Sequence, residues 1–220
     1  NNALGQRVAK DTGGGASHFL YDLSGRLIAE ADGASGAATA EYVWLEGMPL
    51  AFIQGGQAFF VHADHLGTPQ KLSDGAAAIV WDATFRPFGE ADSITGSIAF
   101  NLRFPGQYFD AETGLHYNWF RDYDPSIGRY VQSDPIGLQG GWNTYAYVGG
   151  NPVRFIDPRG LTITGQYYDF VAMVTDWSYE GFNSDLETCH DEKCISDRLG
   201  WFNFEASGTL KVVVKCTETQ

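Results

Sequence analysis

The chain has 220 residues, of which 44% are hydrophobic and only 19% charged, so it can bury a substantial core and is not a disordered segment. Its 14 basic residues against 27 acidic ones give a net charge of −13, which disfavours binding of nucleic acid by residues 1–161. No apolar run approaches the roughly 20 residues that span a bilayer, so we expect no membrane anchor.

Residues 16–81 alternate short β-type runs with turns that contain glycine. Such runs lie at 17–21, 42–45 and 58–62. The turn between 21 and 27 places an Asp that can bind its own backbone before a Gly at the tight position. This pattern predicts a meander of strands that buries one face against neighbouring repeats. It also indicates that the chain is the end of a longer protein, because a stack of such units needs more repeats than are present.

The amino-acid composition changes after residue 100. Residues 101–161 are rich in aromatic side chains, Asn and Asp-Pro turns, and they predict no long helix. Residues 162–220 return to β-type runs and predict a hairpin from 201–204 to 210–214. All three cysteines, Cys189, Cys194 and Cys216, lie in this last segment. They allow one disulfide and one free thiol, and the sequence does not choose among the three pairings.

Several of these blocks together resemble one family. The turn at 21–27 reads YDLSGRL, residues 64–69 read DHLGTP, and residues 103–118 read RFPGQYFDAETGLHYN. Two related turns follow, DPIGL at 134–138 and DPRGL at 157–161. In this order the blocks resemble the C-terminal end of Rhs or YD-repeat proteins, with an Rhs repeat-associated core and a variable, toxin-type tail.

The resemblance implies a mostly β fold. Residues 1–100 would be repeat strands of a spiral β-hairpin shell, 101–161 the core that plugs one end, and 162–220 a small β-rich α+β effector domain. It further implies a polymorphic toxin of interbacterial competition that holds its own C-terminal tail as cargo. The implied partners are a cognate immunity protein and a secretion apparatus. The implied location is secreted or at the bacterial cell surface, with delivery into a target cell.

The resemblance also implies self-cleavage after the second turn, between Leu161 and Thr162. Peptide hydrolysis without a metal or an activated nucleophile needs a water molecule, a base and an acid. Two carboxyl groups held close together can supply both, because they share one proton. Asp134 and Asp157, each at the head of an Asp-Pro-x-Gly turn, are the candidate pair.

The residues around this pair allow two interpretations. Pro135, Gly137, Pro158 and Gly160 complete the two turns and stiffen them. On composition alone such turns are more often architectural than catalytic. By resemblance Arg121 is the cation that would hold one carboxylate ionised or position the scissile carbonyl, and Arg129 is the competing candidate.

Other motifs favour structural roles. His62, Asp64 and His65 fit a repeat turn better than a metal site, and neither a metal nor a cofactor is expected. Tyr108, Tyr117, Trp119, Phe120 and Tyr123 fit packed shell aromatics better than a sugar-binding platform.

The tail itself gives little indication of an activity. Its 4 basic and 10 acidic residues make nucleic acid a doubtful target. Its cluster CHDEKC at 189–194 fits a loop closed by a disulfide better than a catalytic or metal site. The alternative for the whole chain is a non-enzymatic cell-surface YD-repeat module that binds carbohydrate or protein.

Overall fold

The computed structural model describes residues 1–165 and two further short strands, Val171–Ala172 and Val212–Val213. The chain divides into two compact units, Asn1–Gln166 and Tyr167–Gln220. In the second unit the two short strands pair antiparallel. The other run of the expected hairpin, 201–204, lies outside the described residues, as do Cys189, Cys194 and Cys216.

The first unit begins with an antiparallel sheet in which each strand is hydrogen-bonded to the strand before it in the chain. Its nine strands are β1 (Ala9–Asp11), β2 (Ala16–Tyr21), β3 (Leu27–Asp32), β4 (Ala38–Leu45), β5 (Met48–Gln54), β6 (Gln57–Ala63), β7 (Pro69–Ser73), β8 (Ile79–Phe85) and β9 (Ala91–Gly96). The expected meander is therefore confirmed, and the three β-type runs lie within β2, β4 and β6.

Alternation of side chains along the strands gives this sheet one apolar face. Tyr42 lies opposite Phe52, and Phe52 lies opposite Phe59, so the three rings form a row across neighbouring strands. Phe100, which follows the last strand, packs edge-on against Phe52 with ring centroids 5.1 Å apart. Residues after the sheet therefore complete its core.

In a turn of the meander, an aspartate side chain binds the backbone, as the sequence predicts. Asp22 Oδ1 accepts the backbone N–H groups of Ser24 and Arg26 at 2.8 and 2.9 Å. Gly25 has a φ of +87°, and a Cβ there would lie 2.1 Å from the Trp119 ring. This position is restricted to glycine by its backbone conformation and by the ring that covers it.

A second sheet follows, and it is built from β10 (Tyr108–Asp110), β11 (Leu115–Asn118), β12 (Arg121–Asp124) and β13 (Arg129–Tyr130). The 3-10 turns Gly137–Gly140 and Val148–Gly150 are the helical elements of residues 1–165, in agreement with the expected lack of a long helix. Over the part of the chain that the structure describes, no helix has the length and apolar character to cross a membrane. The last pair of strands in the first unit is β14 (Phe155–Ile156) and β15 (Thr164–Gly165).

Charged and polar contacts attach the second sheet to the first. Asp110 on β10 accepts hydrogen bonds from Arg7 at 2.5 Å and from Lys10 at 2.9 Å. The Arg7 guanidinium also lies 4.2 Å from the centroid of the Tyr117 ring on β11. Because Asp110 is buried, these contacts fix where the second sheet begins.

In the turn between β7 and β8, Ala77 has a φ of +62°, at the position that Gly25 occupies in the turn after Asp22. Ala77→Gly should raise the free energy of unfolding by about 0.5–1 kcal/mol, since glycine adopts this conformation without the steric cost of a Cβ. Urea unfolding followed by circular dichroism measures the change. The neighbouring substitution Ala76→Gly is the control, and it should lower stability because Ala76 has no positive φ. Equal effects of the two would contradict the prediction.

Candidate active site

The turn between β11 and β12 brings two polar side chains to one end of the second sheet. Asn118 and Arg121 are direct partners across this hairpin, and only Trp119 and Phe120 separate them. Trp119 adopts a φ of +54°, as two-residue hairpin turns require. Both Asn118 and Arg121 are buried, although their residue types are usually exposed.

The first Asp-Pro-x-Gly turn holds Asp134 in a defined orientation. The Gly137 N–H donates to the Asp134 carbonyl at 2.9 Å, which closes the turn. The Ile136 N–H donates to Asp134 Oδ1 at 3.0 Å. The carboxyl group is buried, and its other oxygen, Oδ2, points to Arg121.

The second turn is the connection between β14 and β15, so strand pairing holds both of its ends. The Gly160 N–H donates to the Asp157 carbonyl at 3.4 Å. Gly160 has a φ of +66°, and a Cβ there would lie 2.6 Å from the Asn118 carbonyl oxygen. The turn therefore lies directly against β11, and only glycine allows this approach.

Arg121 joins the two turns. Its Nη2 lies 3.0 Å from Asp134 Oδ2 and 3.1 Å from Asp157 Oδ2. Its Nε donates to the Gly160 carbonyl at 2.6 Å, and its Nη1 donates to the Thr144 carbonyl at 3.1 Å. The structure thus brings the three sequence-predicted catalytic candidates together in one buried cluster.

Arg129, the competing candidate, lies elsewhere. It is exposed, reaches Asn143 Oδ1 at 3.5 Å and lies over the Tyr145 ring. Asp124 accepts hydrogen bonds from Ser126 within its own turn, and Asp122 accepts one from Gln132. None of these hydrogen bonds leads to Asp134 or Asp157.

Burial raises the pKa of Asp157 above the ordinary value of an aspartic acid. Hydrogen bonds from Leu161 N–H and the Tyr130 hydroxyl, together with the charge of Arg121, offset part of this increase. Two carboxyl groups beside one guanidinium nitrogen also repel each other when both are ionised. Asp157 therefore retains its proton at a pH where an exposed aspartate has lost its own.

The peptide bond between Leu161 and Thr162 is hydrogen-bonded to Asp157 and lies close to the carboxyl group of Asp134. Asp157 Oδ1 accepts the N–H of Leu161 at 3.0 Å and that of Thr162 at 3.3 Å. A Cβ placed on Gly140 would lie 2.3 Å from Asp134 Oδ2 and 3.2 Å from the Leu161 carbonyl oxygen. These two oxygens are therefore neighbours, separated by a space that glycine leaves open. Thr162 is exposed, so solvent reaches this edge of the cluster.

Three residues of this site were missed by sequence reasoning, namely Asn118, Tyr130 and Gly140. The Tyr130 hydroxyl donates to Asp157 Oδ2 at 2.8 Å, and Asn118 Nδ2 donates to the Tyr130 oxygen at 2.8 Å. Asn118 is the last residue of the block at 103–118 that carries the family resemblance, which was a usable signal. Gly140 had none, because its importance comes from the space that its missing side chain leaves.

The other residues considered as candidates make contacts within the fold. His62 pairs with Ser73 and His65 with the Val153 carbonyl, and no group of metal-binding side chains occurs within residues 1–165. The aromatic residues of the second sheet differ in exposure. Tyr108 and Tyr123 are fully packed in the core, while Phe120 is exposed and stacks on Trp119.

Comparison with known proteins gives a match to one family model and matches to toxin proteins. A family model described as "RHS protein" matches residues 58–92. Double-stranded DNA deaminase toxin A of Burkholderia cenocepacia is 39% identical over 154 residues, which are 67% of this chain and 10% of that protein. Toxin protein Tse5 of Pseudomonas aeruginosa is 44% identical over 104 residues, 47% of this chain and 8% of that protein. This chain therefore spans about a tenth of either relative.

A solved structure shares the fold. The crystal structure of TcdB2-TccC3 without its hypervariable C-terminal region matches with a TM-score of 0.51 at 24% identity. The match covers 69% of this chain and 9% of the other. It supports the assignment of a mostly β, shell-type fold.

Replacement of Arg121, the cation between the two carboxyl groups, should show how much free energy the burial of these groups costs. Arg121→Met should lower the free energy of unfolding by about 3–5 kcal/mol at neutral pH, because two buried carboxylates lose their partner. The loss should shrink as the pH falls, since protonation neutralises both groups. Urea unfolding at several pH values measures it. Arg129→Met is the control and should change stability little; a pH-independent loss in Arg121→Met would contradict the prediction.

Proposed function

The chain belongs to the Rhs family, and we propose that its core is an aspartic-type autoprotease that cuts its own chain between Leu161 and Thr162. One observation carries this proposal. The carboxyl of Asp157 contacts the Thr162 nitrogen, while the carboxyl of Asp134 lies beside the Leu161 carbonyl oxygen. An acid and a base thus flank the two sides of one peptide bond.

The reaction that this geometry supports is a hydrolysis by water. Asp134, as carboxylate, takes a proton from a water molecule whose oxygen attacks the carbonyl carbon of Leu161. Asp157, as carboxylic acid, gives its proton to the nitrogen of Thr162 as the C–N bond breaks. The products are a new carboxyl group on Leu161 and a new amine on Thr162, and one proton has passed from Asp157 to Asp134. This division of roles is typical of paired carboxyl groups with different surroundings.

Arg121 supports the reaction without taking a proton. Its guanidinium attracts both carboxyl groups to one point, and it also holds the carbonyl of Gly160, the residue before Leu161. A planar, permanently charged group with several N–H donors fixes such an arrangement better than a lysine. The attacked bond is thereby held in place before the reaction begins, which lowers the barrier through orientation.

The cargo is the segment after the cut. We propose that residues 1–100 are repeat strands, 101–161 the core protease, and 162–220 a toxin-type effector released from the shell. Both relatives named above are called toxins, which supports a toxin for this protein as well. A cognate immunity protein, a secretion apparatus and delivery into a target cell follow from this proposal. The chemistry needs no cofactor.

Replacement of either aspartate should prevent the cut. In Asp134→Asn and Asp157→Asn we expect an uncut chain, whereas the wild-type protein should yield a fragment that begins at Thr162. Intact mass under denaturing conditions, which separates a retained fragment, measures this for the natural full-length product. Asp124→Asn is the matched control, because Asp124 also precedes a proline in a turn but lies outside the cluster. An uncut wild-type chain would contradict the proposal and favour a non-enzymatic repeat module.

The space at Gly140 provides a second test. Gly140→Ala places a methyl group 2.3 Å from Asp134 Oδ2, so the carboxyl group must shift from its present position. We expect cleavage to slow by about a hundredfold or more, in line with the sensitivity of catalysis to a displacement of about 1 Å. Time courses of the uncut chain measure the rate. Leu138→Ala in the same 3-10 turn is the control, since Leu138 is exposed; equal rates for the two variants would argue against the assigned geometry.

A further inference from the structure

Tyr130 contacts both charged partners of the cluster. Its side chain is buried, and its hydroxyl donates to Asp157 Oδ2 at 2.8 Å. The Arg121 guanidinium lies over its ring, with Cζ 3.6 Å from the centroid. No other aromatic ring among the described residues makes both kinds of contact. Tyr130 therefore constrains the ion pair from two sides.

Asn118 determines which way the Tyr130 hydroxyl points. The Asn118 Nδ2 group donates to the Tyr130 oxygen at 2.8 Å and to the Asp157 carbonyl at 2.9 Å. An amide nitrogen can only donate, so the tyrosine oxygen accepts this bond and must direct its own hydrogen elsewhere. The acceptor within reach is Asp157 Oδ2. The hydroxyl is thus a fixed donor to that oxygen.

The two oxygens of Asp157 consequently have different surroundings. Oδ2 receives hydrogen bonds from the Tyr130 hydroxyl and from Arg121 Nη2. Oδ1 faces only the backbone N–H groups of Leu161 and Thr162. Both oxygens therefore face donors, but those at Oδ2 include the permanent charge of Arg121, whereas those at Oδ1 are two neutral backbone N–H groups. A carboxyl proton is consequently less favourable on Oδ2 than on Oδ1, the oxygen next to the Thr162 nitrogen.

We propose that Tyr130 is a positioning residue that keeps the proton of Asp157 on the oxygen that faces the Thr162 nitrogen. The inference rests on the proposed autoproteolysis and adds to it the device that orients the acid. Tyr130 itself transfers no proton. Burial raises its pKa well above that of an ordinary tyrosine, so the hydroxyl remains a donor over the whole range in which aspartates titrate.

Packing alone does not account for a tyrosine here. The ring contacts Tyr123 and Tyr147 edge-on, with centroids 5.7 and 5.8 Å away, and a phenylalanine would make the same contacts. The hydroxyl is a buried polar group, which costs free energy unless it is hydrogen-bonded. Its two hydrogen bonds lead to Asn118 and to Asp157, so its specific effect falls on the cluster.

The test is the pH profile of cleavage in Tyr130→Phe. We expect the rate to fall about ten- to hundredfold, which corresponds to the loss of one hydrogen bond to a charged group. The alkaline limit of the profile should also move to higher pH, because Asp157 loses a donor that stabilises its ionised form. Pulse-labelled synthesis of the full-length protein, transferred into buffers of different pH, gives the rate from the decay of uncut chain.

Tyr123→Phe is the matched control. Tyr123 is equally buried in the same aromatic cluster, and its hydroxyl donates to the Phe88 carbonyl rather than to a reacting group. Loss of the Tyr123 hydroxyl should change the free energy of unfolding by about as much as Tyr130→Phe does. It should leave the pH dependence of cleavage unchanged. Thermal unfolding of Tyr130→Phe and Tyr123→Phe, each combined with Asp157→Asn so that both chains stay uncut, compares their effects on the fold.

The outcomes separate the inference from the proposed function. If the wild type cuts, Asp157→Asn does not, and Tyr130→Phe has the rate and the alkaline limit of the wild type, the positioning role is wrong while the autoprotease stands. A lower rate in Tyr130→Phe without a shift of the limit would also overturn the positioning role and indicate a structural one. A wild-type protein that is never cleaved would contradict both the autoprotease and the positioning role of Tyr130.

Discussion

The arrangement of residues 101–165 depends on one buried guanidinium shared by two carboxyl groups. Arg121 lies between Asp134 and Asp157, and it is tied to the backbone on both sides of them. Removal of each charged group of the cluster from water costs several kcal/mol, and only close pairing offsets this cost. The cluster is therefore a place where stability is given up for a defined geometry, which is the usual property of an active site.

The two Asp-Pro-x-Gly turns have the same local form and different surroundings. Asp134 stands before a 3-10 turn whose Gly140 leaves room for a carbonyl oxygen, whereas Asp157 heads a loop that both of its neighbouring strands hold. Identical turn chemistry thus gives two carboxyl groups with unlike contacts. This asymmetry is what allows one to serve as base and the other as acid in the reaction that we propose.

The nine-stranded sheet supports this arrangement through its contacts with the second sheet. Its apolar face is covered by the residues that lead into the second sheet, and Asp110 attaches the two through Arg7 and Lys10. The hairpin that carries Arg121 also contacts a meander turn, since the Trp119 ring lies on Gly25. A rigid neighbour of this kind limits the motion of the hairpin, and a preorganised site requires such support.

The strand pattern and the turn chemistry were readable from the sequence, because alternating side chains and Asp-to-Gly spacing are local properties. The family resemblance of the sequence also indicated Asp134, Asp157 and Arg121 as candidates, although it left Arg129 as a competing candidate for the cation. Only the tertiary structure decided between the arginines, because the choice depends on which strand end meets the second turn. Tyr130 and Gly140 were beyond local reasoning for the same reason. Their roles lie in a hydrogen bond and an open space that form when distant segments pack together.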